Sequence, residues 1–318
     1  MTKTQRYNNN KQRTFGWLVK VSAVGLTGDI SVTITRGRWG LFVVASSGPS
    51  ALWLRDEINE LKSWASSSKP DNHRTSAWLC EGLSQLTNVQ ESLDDLLQLP
   101  QARESLCPNH DLIEKFLDDF LSLVDVYGIF QTLLLTLKQE HLAAQVAVRK
   151  RDDSKTALYF KNLKKVAKDF GQLESSVQSI AGRQLVILSP PAPAAAEEDA
   201  EIARVLRDAI QVTASISVVL FNGLSVSLAF RKPSCLGLIS LVKSSKKIAI
   251  VKGGIQEFQQ VSFQNLWGLQ RKGEEELKLT LKIMHELEDC IRGIGSGGER
   301  VFRSLISTRV SLLNVVTH

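Results

Sequence analysis

Residues 75–100 read TSAWLCEGLSQLTNVQESLDDLLQLP, and the reading of this stretch decides the fold. Trp78, Leu79, Leu83, Leu86, Val89, Leu93, Leu96 and Leu97 recur at steps of three and four, the period of one helix face. Thr75 stands where an N-cap belongs, and Pro100 stops the pattern because it has no N–H for the hydrogen-bond ladder. Working outward, Leu54, Ile58, Leu61 and Trp64 form a shorter stripe that ends in Ser66-Ser-Ser-Lys-Pro70. On the other side, Asp111 can open a long helix through Ile113, Phe116, Leu117, Phe120, Leu123, Val124 and Tyr127, towards Arg149. Asp152, Asp153 or Ser154 can cap the next, through Leu158, Leu163, Val166, Phe170 and Leu173. Four amphipathic helices with short connections predict antiparallel packing.

The expected fold is therefore all-α: an elongated antiparallel helical bundle with long helices, preceded by a poorly ordered N-terminal extension. Residues 1–50 are that extension, and 51–188 hold the N-terminal helices of the bundle. Residues 189–200 are a Pro/Ala/acidic linker, and 201–318 hold the C-terminal helices of the same bundle. Within the extension only Asp29–Thr35 alternates with a period of two and reads as a strand.

The chain has 318 residues, 39 of them Lys or Arg and 33 Asp or Glu, and is 43% hydrophobic, which excludes a wholly disordered or collagen-like chain. Its charge of +6 would suit a polyanion, but residues 1–50 hold Lys3, Arg6, Lys11, Arg13, Lys20, Arg36 and Arg38 against Asp29 alone. The remainder is neutral, so no nucleic-acid partner is expected. The basic, hydroxyl-rich and acid-poor start also has the composition of an organelle transit peptide, without its amphipathic Arg face. Cys80, Cys107, Cys235 and Cys290 lie far apart with no Cys-x-x-Cys, so a reducing, cytoplasmic setting is expected.

Motifs for chemistry are sparse. Gly293-x-Gly295-x-x-Gly298 matches a dinucleotide fingerprint, but Leu277, Leu281, Met284, Leu287 and Ile291 put a helical stripe where a strand is required. The expected reading is a loosened helix or local break. Cys107-Pro-Asn-His110 leaves a zinc site two ligands short. Acidic pairs such as Asp94/Asp95 and Asp118/Asp119 read as solvated faces, and there is no nucleophile elbow or Walker loop. Ala209–Phe230 carries no charge and is long enough to cross a bilayer, yet Gln211, Thr213, Ser215, Ser217, Asn222, Ser225 and Ser227 favour a buried helix.

Several segments together carry a resemblance: Leu79–Leu86 leading into Leu96–Pro100, Leu121–Asp125, Asn162–Lys165, Glu286–Ile291 and Leu305–Asn314. Through them the chain from Leu52 to Val316 resembles the plant family of BYPASS-like proteins. That resemblance implies a helical protein linked to root and shoot development, with no established catalytic activity and no active-site residues. Two departures stand out: residues 1–50 lie outside it, and Gly293, Gly295, Gly297 and Gly298 fall where an uninterrupted acidic, leucine-rich helix is expected.

The expectation is a non-enzymatic helical protein acting in plant development through protein partners, with no catalytic residues, cofactor or metal. Leu305, Val310, Leu312 and Leu313 are the candidate apolar face for structure or partner docking, with Arg309 a candidate carboxylate partner. The alternative is a membrane-associated protein anchored by 209–230 and directed to an organelle by its N-terminus. An enzyme would need His110, His141 or His285 to meet acidic or thiol groups in a pocket.

Overall fold

The computed structural model describes residues 19–25, 28–37, 40–45, 49–66, 74–186, 197–229, 253–261, 266 and 268–317. The expected linker up to residue 196, and the basic, glycine-containing stretch before Gly253, lie outside the described residues. The chain divides into two units, Met1–Trp53 and Leu54–His318.

The first unit holds three strands, β1 (Val19–Gly25), β2 (Gly28–Gly37) and β3 (Gly40–Ala45), in an antiparallel meander of order β1-β2-β3. Val21 pairs with Val32 and Ile34 with Val43, while Gly25↔Gly28 and Gly37↔Gly40 close the two ends. The strand read at Asp29–Thr35 is the middle of β2. Its neighbours are missed by period-two reading because runs such as Leu41-Phe-Val-Val44 are apolar without alternation.

The second unit is the helical bundle. Its elements are α1 (Pro49–Ser66), α2 (Ser76–Leu97), α3 (Pro100–Leu106), α4 (His110–Arg149) and α5 (Asp153–Val186), then α6 (Glu197–Leu228), α7 (Gln256–Gln260) and α8 (Glu274–Thr317). Thr75, Pro100 and Asp152 act as terminal signals, whereas Asp111, expected to open α4, lies within its first turn behind Asn109, which makes no side-chain cap bond. Thr75 Oγ1 accepts from Trp78 N at 3.1 Å, Pro100 sits at the first position of α3, and Asp152 Oδ1 accepts from Lys155 N at 3.0 Å. A second anion meets the α2 N-terminus, where Glu257 of α7 accepts from Ser76 N at 3.0 Å and from Ser76 Oγ at 2.9 Å.

Polar pairs report how the helices run. Asn162 donates to Glu140 at 2.9 Å and Arg183 to Asp119 at 3.0 Å, so α4 and α5 are antiparallel. Asn222 donates to Glu174 and Ser225 Oγ to Ala167 O, so α5 and α6 are antiparallel too. α8 lies alongside α2 in the same direction, with Ser76 beside Cys290, Gln90 beside Thr308 and Asp94 beside Ser307. At 1.5 Å per residue, the 40 residues of α4 and 44 of α8 span about 60 and 66 Å.

The core centres on Tyr127, Phe130, Phe170 and Phe221, whose rings lie 5.2–6.1 Å apart. Tyr127 donates to Ser217 Oγ at 2.9 Å, and Ser217 in turn donates to Thr213 O at 2.7 Å. Next to it Gln90 Nε2 donates to Thr213 Oγ1 at 2.8 Å, and Thr308 Oγ1 lies 3.2 Å from Gln90 Oε1. The hydroxyls of the uncharged α6 run thus join α2, α4 and α8 from within, which is where a buried helix of a bundle needs them.

The expected break at the glycines is not found: α8 is continuous from Glu274 to Thr317. Gly297 and Gly298 are buried, and their lack of a side chain brings two neighbours close. A Cβ at 297 would stand 3.0 Å from Leu83 Cδ1, and one at 298 would meet the Phe130 ring and stand 2.9 Å from Gln131 Nε2. Close packing against α2 and α4 outweighs the helix-propensity cost of glycine, about 1 kcal/mol per residue.

Candidate docking surface

Among the described residues, the buried groups from which an active site could be built are engaged in structure. His141 is fully buried, its Nε2 2.7 Å from Met284 O and its Nδ1 3.1 Å from Tyr159 OH. The carbonyl can only accept, so Nε2 carries the proton and Nδ1 accepts from the phenol. Burial pushes this imidazole below its ordinary value and outweighs the opposing Met284 bond. His110 lies 3.5 Å from Glu114 on the exposed start of α4, and exposed His285 lies 3.7 Å from Glu288. The three histidines do not share a pocket with a thiol.

Cys80 and Cys290 are half-buried, and burial pushes both thiols up, away from the reactive thiolate. Exposed Cys107 approaches Val315 O at 3.6 Å. Among the described residues no three His, Cys, Asp or Glu side chains gather as metal ligands. One groove between α2 and α8 is lined by Glu91, Asp94, Asp95, Arg300, Arg303 and Ser307. Ser307 and Ser311 both donate to Asp94, while burial and the charges of Asp94 and Glu91 hold the Asp95 carboxyl above its usual range. It is an open groove with three carboxylates against two arginines.

The five residues singled out on the last helix divide between two faces. Leu305 and Leu312 are fully buried and belong to the core, Leu313 is half-buried, and Val310 stands 48% exposed. Steps of seven keep Leu305 and Leu312 on one side, whereas Val310 is rotated away, so they form no single apolar face. Arg309 Nε donates to Leu117 O, a backbone carbonyl of α4, at 3.4 Å.

The uncovered apolar surface is elsewhere, on α4. Its buried side carries Phe116, Phe120, Tyr127 and Phe130, the stripe legible in the sequence. From Leu121 to Val146 its exposed residues are Leu121, Asp125, Ile129, Thr132, Leu135, Gln139, Leu142, Ala143 and Val146, with one charge among them. Leu135 is 56% exposed and Ile129 52%, where a solvated helix face ordinarily alternates charged side chains. Leu121, Asp125, Gly128, Thr132, Leu135, Gln139, Leu142 and Val146 follow at alternating steps of four and three, the spacing of a helix–helix seam. That second stripe was the signal available in the sequence, masked because the core stripe beside it is stronger.

Two described helices, α4 and the Glu201–Leu228 part of α6, are long and apolar enough to cross a membrane. More than half of the α6 window is buried in the bundle, but well under half of the α4 window is. α4 is therefore the helix whose hydrophobicity the fold does not use up.

A family model described as Protein BPS1 matches residues 82–315, which include Asn162–Lys165, Glu286–Ile291 and Leu305–Asn314. No curated protein and no solved structure matches the chain.

Proposed function

We propose that this chain, which belongs to the BPS1 (BYPASS1) family, is a non-enzymatic docking protein that acts in plant root and shoot development through protein partners. The observation that carries this reading is the outward face of α4, where Leu121, Ile129, Leu135, Leu142 and Val146 stay exposed on a helix otherwise locked into the core. A contiguous exposed apolar surface is characteristic of an interaction site. The state of the reactive groups supports the same reading: the buried imidazole serves packing, and burial pushes the half-buried thiols of Cys80 and Cys290 up. The neutral body of the chain favours proteins over polyanions as partners, and a cytoplasmic setting suits its dispersed cysteines.

The anchor reading of 209–230 has less support, because Thr213, Ser217 and Ser227 of that run are buried and bonded to Gln90, Tyr127 and Ile255 of other elements. The test is rescue of root and shoot growth in plants that lack the protein. A chain with Cys80, Cys107 and Cys290 changed to Ala, and His110 and His285 to Gln, should rescue like the wild type. Failure of that chain to rescue while folded and present at normal level would point to chemistry and overturn the proposal.

A further inference from the structure

The two ends of the outward stripe of α4 carry opposite charges, although an antiparallel register also sets Asp125 opposite Leu142. Continued by the same steps of four and three, the stripe reaches Asp118 at one end and Arg149 at the other, both exposed. The acidic end adds exposed Asp111 and Glu114 against exposed Lys115, and the basic end adds exposed Lys150. Turned antiparallel about a twofold axis lying between Thr132 and Leu135, the stripe sets Asp118 opposite Arg149 and Leu121 opposite Val146. Thr132 then meets Leu135 of the other copy. Gly128 and Thr132 keep the middle of the seam low. A parallel pairing would set acid on acid and base on base.

We infer that the occupant of this face is a second copy of the chain, joined by antiparallel α4–α4 packing about a twofold axis. This rests on the reading of α4 as a docking surface and names its partner. A seam from Asp118 to Arg149 is about 46 Å long at helical rise, and with a contact strip about 10 Å wide it buries on the order of 900 Å² in total. That is the low end of interface sizes, the class of weak, exchanging contacts. The antiparallel arrangement is isologous, as a twofold dimer requires.

The test is sedimentation velocity of the full chain across a concentration series that spans about 1 to 50 micromolar. Wild type moves from a species of 35.2 kDa to one of twice that mass. Leu135→Glu, which changes an exposed residue at the seam centre, stays monomeric across the range with unchanged helical circular dichroism. Asp118→Arg and Arg149→Asp each raise the dissociation constant about tenfold, and the double variant returns close to wild type. This exchange test stands even where Leu135→Glu misfolds.

A wild-type chain that stays monomeric throughout overturns the inference, as does a dimer indifferent to these three changes. Binding of the monomer to vesicles of anionic lipid, lost in Leu135→Glu, would give the face to a membrane and overturn it too. The rescue experiment above reads separately: a monomer that needs no reactive group for rescue would leave the docking reading standing without this partner.

Discussion

A methyl group at position 298 would run into the Phe130 ring, whereas one at 295 would find Leu134 Cδ1 at 3.9 Å, an ordinary contact. Gly298→Ala should therefore lower stability by about 1–3 kcal/mol through overpacking. Gly295→Ala should be neutral or raise stability by up to about 1 kcal/mol, because alanine favours helix. Urea denaturation of the two variants checks the contrast. The glycines themselves were visible in the sequence, but their meaning was not, because a glycine that breaks a helix and one that admits a neighbour look alike without the packing. His141 gives a second prediction. Burial holds its folded pKa below the unfolded value of about 6.5, so as pH falls the unfolded chain takes up the proton first. Its contribution is whole above that value and is lost as pH falls toward the folded pKa, by up to about 1.4 kcal/mol per unit. Urea curves at about pH 7.5 and 5.5 should show that loss in the wild type and a smaller one in His141→Gln. Equal losses would contradict it.

Helix by helix, the periodic pattern placed the starts of α2, α4 and α5 to within a residue or two, and Pro100 marked the end of α2, while α5 runs on to Val186, past the Leu173 to which its stripe was read. It was weakest where one helix serves two demands. The uncharged run from Ala209 to Phe230 is long enough for a bilayer span, yet the hydroxyls that favoured a buried helix are what connect α6 to the bundle. Thr213→Val keeps the shape and removes the acceptor for Gln90 Nε2, so it should lower stability by about 1–3 kcal/mol. Ser215→Ala, exposed on the same helix, should change it by less than about 0.5 kcal/mol. Similar losses for both, measured by urea denaturation, would show that the buried network contributes nothing beyond burial. On α4 the core stripe was legible and the outer one went unread, because two apolar stripes on one helix blur into general hydrophobicity.

Taken as a whole molecule, the bundle buries His141 and half-buries Cys80 and Cys290, and among the described residues it leaves an apolar row on α4 outside. Composition and period were enough to predict the all-α class, and the family segments, scattered from Leu79 to Asn314, were enough to place the chain. The parallel course of α2 and α8 was not legible, since it depends on the path between α6 and α8 rather than on any local pattern. Nor was the docking surface, for which the five residues chosen on α8 stand partly in the core while the exposed row lies one helix away. The account stands on that row. Its most direct test is rescue of root and shoot growth by the full chain carrying Leu135→Glu and Leu142→Glu, with the protein level and helical content measured alongside. The account predicts a folded, normally abundant protein that fails to rescue. Full rescue by that variant would contradict it.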